Sequence, residues 1–355
     1  MGFLDSVFGK KRGASVGIDI GSFSSKLIKI DFPPKGEPTV EGLAVRRYPS
    51  RSIFDKEIRE RDVLIGVIQE LVDAVDPDIV EVVASVSGHK VMTDIFMVTR
   101  PKGKVKLDEL VMTEAESHIP TGTEGVSLSY EVLEELDEGK RLRVLLTAAK
   151  SDYVASYVDL LDGAGLTPVI IDVDYFALYN VFKYNYELPE EGVYFLVDVG
   201  YELTNIAIIV DQKLFTVRDI SMGARDIWSR IQSELRLSNE EVSRIVSGET
   251  GWLDETSLKG AIFIASDDVK VGLDMVYSFL EKSLGGREVD KYYFSGGGSL
   301  VPFFMEAMKE KLPAEVEILD PFQKIVCEPF FFGEKKKDEV APLYAIATGL
   351  ALRQG

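Results

Sequence analysis

The chain has one cysteine, Cys327, and two histidines, His89 and His118, among 355 residues. A lone thiol excludes an internal disulfide, and so few Cys and His residues give no zinc-ligand cluster. His118, just before Ile119-Pro120, reads as a helix-end residue near carbonyls rather than as a catalyst. Long apolar runs are missing too. No window holds about 18 uncharged apolar residues, the length of a membrane-spanning helix, so no transmembrane segment is expected. Positive charge is in deficit: 40 basic residues face 59 acidic ones, for a net charge of -19. That balance disfavours nucleic acid and anionic lipid as general partners. The apolar fraction of 46% and the charged fraction of 28% suit a soluble cytoplasmic protein, whose length calls for at least two lobes.

Two segments share one design. Val16-Gly17-Ile18-Asp19-Ile20-Gly21-Ser22-Phe23-Ser24-Ser25-Lys26-Leu27 is the first, and Tyr194-Phe195-Leu196-Val197-Asp198-Val199-Gly200-Tyr201-Glu202-Leu203-Thr204-Asn205 is the second. Each is an apolar strand ending in Asp-x-Gly, a hydroxyl-bearing turn and a second apolar run. The Asp at each strand end can hold hydrated Mg²⁺, and Gly lets backbone amides approach phosphate oxygens with no side chain between. A phosphate-gripping hairpin is thus written twice, which points to nucleotide binding between two related lobes. A third element, Lys291-Tyr292-Tyr293-Phe294-Ser295-Gly296-Gly297-Gly298-Ser299, runs a strand into a glycine triplet, a flat floor for a purine or sugar.

Between the hairpins, residues 61–75 carry Val63, Leu64, Val67, Ile68, Leu71 and Val72 at helical spacing, stopped by Asp76-Pro77. Residues 80–86 form an apolar strand ahead of Gly88. Residues 91–167 then read as strand (91–98), helix (107–117), strand (126–133), strand (142–148) and helix (153–164). The first helix has a solvated acidic stripe of Asp108, Glu109, Glu114 and Glu116. The strand pair turns at Asp137-Glu138-Gly139-Lys140, and Ser151-Asp152 caps the last helix. This is a small α/β subdomain inserted in the first lobe. At the start of the chain, Phe3, Leu4, Val7 and Phe8 share a helical face ahead of Lys10, Lys11 and Arg12. The segment lacks a signal peptide's apolar region and cleavage site. It reads either as a short peripheral contact with a membrane or membrane complex, or as a frayed tail; a formal myristoylation match at Gly2 and Ser6 is accidental.

In this order the three motifs resemble the two phosphate loops and the adenosine loop of the actin-like ATPase superfamily, which includes sugar kinases and heat-shock chaperones. The resemblance implies an α/β fold of two lobes, each a ribonuclease-H-like unit. The insertion before Leu166-Thr167-Pro168-Val169-Ile170-Ile171-Asp172-Val173 resembles the 1C subdomain of the FtsA and PilM branch. Finer matches favour the PilM family. Glu114-Ala115-Glu116-Ser117-His118-Ile119-Pro120 is similar to that family's helix end, Ile171-Asp172-Val173-Asp174-Tyr175-Phe176-Ala177-Leu178 to the start of its connecting helix, and Phe215-Thr216-Val217-Arg218-Asp219-Ile220-Ser221-Met222-Gly223-Ala224 to the strand and turn after its second phosphate loop. The likeness spans residues 14–352. It implies a tail at 1–13, subdomain 1A at 14–90 and 168–190 with a closing helix at 342–355, subdomain 1C at 91–167, 2A at 191–225 and 286–341, and 2B at 226–285. It leaves no room for the C-terminal amphipathic membrane helix of FtsA.

For function, the resemblance implies a scaffold of type IV pilus assembly and twitching motility that binds ATP and Mg²⁺ between its lobes, with no turnover or a very slow ATPase. It implies a cytoplasmic protein held peripherally at the inner membrane, docking the N-terminal peptide of a PilN-like membrane protein beside residues 91–167, along with other pilus or secretion components. Asp19, Gly21, Ser22, Ser24 and Lys26 match the first phosphate motif, with Asp19 toward Mg²⁺. Gly296, Gly297, Gly298 and Ser299 match the adenosine motif. In the second loop Asp198, Gly200 and Thr204 carry over, with Asp198 toward Mg²⁺, but Tyr201, Glu202 and Leu203 stand where small residues are usual, and Glu202 would add like charge beside a triphosphate. Ser243 and Val246 replace an expected Glu and Lys on the purine-side helix, each exchange costing about 1 to 2 kcal/mol of affinity. Asp174 is the candidate for positioning a water, though Asp172 and Asp174 read equally well as helix N-caps. A nucleotide-free interaction scaffold similar to the type II secretion protein GspL, and a small-molecule kinase of the same superfamily, are the alternatives.

Overall fold

The computed structural model describes residues 13–49, 51–100, 106–119 and 122–353. The amphipathic segment through Arg12 and Pro120 of the helix-end motif lie outside the described residues. β1 (Gly13–Ile20), β2 (Ser24–Phe32) and β3 (Thr39–Arg47) form an antiparallel meander, followed by a short hairpin of β4 (Ile53–Phe54) and β5 (Glu57–Ile58). The helix Arg61–Val75 buries Leu64, Val67, Ile68, Leu71 and Val72, the stripe read from the sequence. It stops because Pro77 forces Asp76 into extended backbone at φ -165° and ψ 113°.

After β6 (Glu81–Val86) the chain builds a separate three-stranded sheet from β7 (Val91–Thr99), β8 (Val126–Leu136) and β9 (Arg141–Lys150), in the order β7-β9-β8. The helix Leu107–His118 covers one face, where Val111 and Ala115 meet Phe96, Val98, Leu142 and Val144. Its acidic residues point to solvent, as expected. The β8 and β9 strands run longer than the sequence suggested, because Asp137, Glu138 and Gly139 all take positive φ (51°, 56° and 79°), a tight turn that lets the ladder reach it. Ser151 and Asp152 do not cap the following helix. That helix, Ser151–Gly163, already includes them and has no side-chain cap; the Ser151 hydroxyl lies 3.0 Å from that of Ser127 instead. His118 faces a carboxylate rather than carbonyls, with Nδ1 2.7 Å from Asp94 Oδ2 and its ring stacked on Phe96.

β10 (Thr167–Val173) completes the first sheet in the order β10-β6-β1-β2-β3, with β6 and β10 parallel to β1. The second lobe repeats the plan. β11 (Val193–Val199), β12 (Thr204–Val210) and β13 (Lys213–Ile220) form the meander, and β14 (Lys291–Ser295) and β15 (Glu315–Ile318) add in parallel beside β11. Both faces of β11 are buried: Phe195 and Val197 pack among the second-lobe helices, while Tyr194 and Leu196 face the core shared with the first lobe.

Two helices lie between the lobes, the connecting helix Asp174–Asn185 and the closing helix Ala345–Ala351, which a 3₁₀ turn at Ala341–Tyr344 leads into. They cross at near backbone contact. A Cβ on Gly349 would sit 1.9 Å from the Ala177 carbonyl oxygen, and one on Gly17 of β1 would sit 2.0 Å from that of Ala347. Among the described residues no helix is long and apolar enough to cross a membrane.

Candidate functional site

The two lobes enclose a cleft of about 1260 Å³, ample for a nucleotide-sized ligand. Asp19, Gly21, Ser22, Ser24, Lys26, Asp174, Asp198, Gly200, Gly296, Gly297 and Ser299 all line it, as do Tyr201, Glu202, Leu203, Ser243 and Val246. Two sequence candidates are placed elsewhere. Thr204 is fully buried and its hydroxyl donates to the Met222 carbonyl at 2.8 Å, fixing the start of β12. Gly298 packs under the loop, where a Cβ would lie 2.2 Å from Val199 Cγ1.

The strand registers explain how the charges are set. In the first hairpin Asp19 lies opposite Lys26, whose Nζ sits 2.9 Å from Asp19 Oδ2. In the second hairpin the equivalent pair is Asp198 and Asn205, so no cation stands opposite the carboxylate on the neighbouring strand. Asp198 instead accepts from Ser295 Oγ at 2.8 Å, across the β11–β14 ladder. Burial pushes its carboxyl up to about 6; the Ser295 bond pulls the other way and the nearby Asp19 charge adds to the rise. The glycines serve close approach. A Cβ on Gly200 would meet the Leu203 carbonyl oxygen at 2.7 Å, and Gly296, at φ 81°, would meet that of Val199 at 2.6 Å.

Asp174 opens the connecting helix, yet neither it nor Asp172 caps it. The N-cap is Val173, with no side-chain bond. Asp172 pairs with Arg353 at 3.2 Å, while Asp174 accepts from Ser85 Oγ at 2.6 Å and faces Lys56 Nζ at 3.6 Å. Lys56 escaped the sequence reading because nothing local marks it. It reaches the cleft from the β4–β5 turn, where Asp55 and Lys56 both hold positive φ (53° and 59°), and its stem runs over Gly88, whose Cβ would lie 2.9 Å from Lys56 Cγ. Burial opposes the Lys56 charge, but Asp174, with Tyr153 and Asp19, outweighs it and raises the pKa. Asn205 was also missed, although it stands at the same offset from Asp198 as Lys26 does from Asp19.

Ser22 Oγ and Asn205 Oδ1 are buried with no hydrogen-bond partner among the described residues, and both residues line the cleft. Leaving such atoms unsatisfied costs about 1–3 kcal/mol each, which a bound polar ligand would offset. Together with the two strand-end carboxylates and the glycine cradles, they fit a magnesium nucleotide: Asp19 and Asp198 would hold the hydrated ion, and the loops around Gly21 and Gly200 the phosphates. Bound there, the ion would supply positive charge against both carboxylates and phosphates.

In the second loop Glu202, expected to add like charge beside a triphosphate, is paired within the protein. Its Oε1 accepts from Arg225 Nη1 at 3.0 Å and its Oε2 from the Asp55 backbone N–H at 3.1 Å, so the charge is compensated and the bond to Asp55 crosses from one lobe to the other. Beside it, the Tyr201 ring stacks on Phe23 of the first loop, centroids 4.8 Å apart at 24°.

Comparison with known proteins gives the fold its company. The family described as "Type IV pilus assembly protein PilM" matches residues 17–355. A solved PilM-PilN type IV pilus biogenesis complex is similar at 26% identity and a TM-score of 0.81, over 96% of this chain and 98% of that one. The ethanolamine utilization protein EutJ from Carboxydothermus hydrogenoformans is similar at 14% identity and a TM-score of 0.58, over 97% and 91%. MreB 5 of Spiroplasma citri, solved bound to AMPPNP, is similar at 10% identity and a TM-score of 0.50, over 96% and 95%. These likenesses establish the two-lobed actin-like ATPase fold, and with the matched residues and the PilM-PilN likeness, the chain belongs to the family of the type IV pilus assembly protein PilM.

Proposed function

We propose that this protein is the cytoplasmic scaffold of a type IV pilus inner-membrane assembly, holding a magnesium nucleotide between its lobes and the N-terminal peptide of a PilN-like membrane protein where the first lobe meets the inserted β7-β9-β8 sheet. On this reading residues 14–90 and 168–190 act as subdomain 1A, 91–167 as 1C, 191–225 and 286–341 as 2A, and 226–285 as 2B. The observation that carries the nucleotide half is the pair of buried, unpartnered polar atoms on Ser22, in the first loop, and Asn205, opposite Asp198 on β12, both of which line one cleft. The partner half is supported by the likeness to the PilM-PilN complex over nearly the whole chain. Association with the inner membrane comes through the partner.

Titrating a fluorescent ATP analogue with Mg²⁺ into wild type and Asp19→Ala, with and without a peptide from the partner's N-terminus, tests both halves. Saturable binding that Asp19→Ala weakens at least about tenfold, and that the peptide shifts, is the expected result. Because linkage is reciprocal, nucleotide must then change peptide affinity by the same factor. Peptide binding with no nucleotide binding under any condition would instead support the nucleotide-free scaffold, the reading favoured by the Phe23 and Tyr201 rings at the loop tips.

A further inference from the structure

Phe23 follows Gly21 by two residues and Tyr201 follows Gly200 directly, so each ring projects from the tip of a phosphate loop, and the two meet face to face across the lobes. Two further bridges flank the stack. Glu202 accepts from Asp55 N–H of the first lobe while bound to Arg225 of the second. Arg47, on β3, lies 5.5 Å over the Phe23 ring and donates from Nη2 to the Val246 carbonyl of the second lobe at 3.4 Å. The lobes are therefore tied at the loop tips by protein groups alone. On the nucleotide reading, a ligand seated on the glycine floor at Gly296-Gly297 would run its phosphate chain toward the loops around Gly21 and Gly200, whose tips carry Phe23 and Tyr201 and line the same cleft.

We infer that the Phe23–Tyr201 stack and the Glu202 bridge occupy the place of a terminal phosphate, so that the cleft selects a nucleoside diphosphate over a triphosphate. The inference rests on the nucleotide-binding reading above and names its ligand more closely. A third phosphate must part the two rings and displace the bond that ties Glu202 to the Asp55 amide across the lobes. A diphosphate would stop short of the stack and the bridge while still lying in the cleft that Ser22 and Asn205 line. The bridge that a terminal phosphate would make between lobes already exists without it.

The test uses the full chain, with Trp228, which lines the cleft, as the fluorescent reporter. Mg²⁺ with ADP and Mg²⁺ with the non-hydrolysable triphosphate AMPPNP are titrated into wild type, Phe23→Ser, Tyr201→Ala and the double variant. Both rings are only half-buried, and thermal melts confirm that the variants fold. Wild type is expected to bind ADP at least about tenfold more tightly than the triphosphate, and the double variant to bring the two within about twofold by gaining triphosphate affinity. Equal or tighter triphosphate binding by wild type, or a preference that the double variant leaves unmoved, overturns the inference alone. Failure of wild type to bind either nucleotide overturns the nucleotide reading itself, and this inference with it.

Discussion

Exchanging Asp198 for Asn will stabilise the ligand-free protein at neutral pH and, on the proposed function, abolish magnesium-dependent nucleotide binding. The carboxyl titrates at about 6 in the folded chain against an ordinary 3.8. The native state thus binds this proton more tightly than the unfolded state does, and a rise of that size is worth about 3 kcal/mol. That amount is a cost of keeping Asp198 ionised above pH 6; it is relieved as the pH falls from 7 through 6 toward 4. Asn keeps an acceptor for Ser295 Oγ and carries no charge, so Asp198→Asn should add about 2–3 kcal/mol at pH 8 and almost nothing at pH 4. Magnesium needs the ionised form, so wild-type affinity for Mg²⁺ with nucleotide should fall about tenfold for each pH step below 6. Denaturant melts at pH 4 and 8, paired with nucleotide titrations, read both effects. An Asn variant no more stable than wild type at pH 8 would show that the site does not strain this carboxylate.

The second large effect is at the helix crossing. In an exposed helix Gly→Ala usually stabilises by about 0.5–1 kcal/mol, because alanine has less backbone freedom to lose. Gly260, in the helix Glu255–Ala265, has nothing within 4 Å of its missing Cβ, and Gly260→Ala should show that gain. Gly349→Ala should reverse the sign. Its Cβ would lie 1.9 Å from the Ala177 carbonyl oxygen and 2.5 Å from the carbon, backbone atoms that no rotamer change can move. Relief requires the closing helix to slide off the connecting helix, which would open the core around Ile18, Leu178 and Leu350. A loss of about 4 kcal/mol or more is expected, a large part of the 5–15 kcal/mol that holds a typical domain together. Chemical denaturation of the two alanine variants side by side decides it; similar stabilities would mean that the crossing is looser than its geometry.

What the sequence revealed and what it hid divide along physical lines. The helix at Arg61–Val75, the strands that run into Asp19 and Asp198, and the glycine triplet were legible because each is local: a 3.6-residue stripe, a short apolar run closed by Asp-x-Gly, a residue type that only close approach requires. Lys56 was invisible, since its role depends on a turn of left-handed backbone and on Gly88, 32 positions away in the numbering, leaving room for its stem. The pairing of Glu202 was hidden for the same reason. Its neutralising partners, Arg225 and the Asp55 amide, belong to different lobes. Thr204 matched a motif letter, but its hydroxyl turned to the Met222 carbonyl, a choice set by tertiary packing. Asn205 could have been found by carrying the Asp19–Lys26 spacing onto the second hairpin.

The closing helix also bears on the order in which the polypeptide is made. The second-lobe core draws its buried residues from one continuous stretch, Val193 to Val316, and can be completed as soon as that stretch has left the ribosome. The first-lobe core cannot, because Val16 and Ile18 are sealed by Ile346, Ala347 and Leu350, among the last residues described. During synthesis β1 therefore waits, with apolar surface uncovered, until Ile346, Ala347 and Leu350 have been made. This long-range contact should make the first lobe the slower half to fold and the half that most needs shielding until the closing helix has emerged.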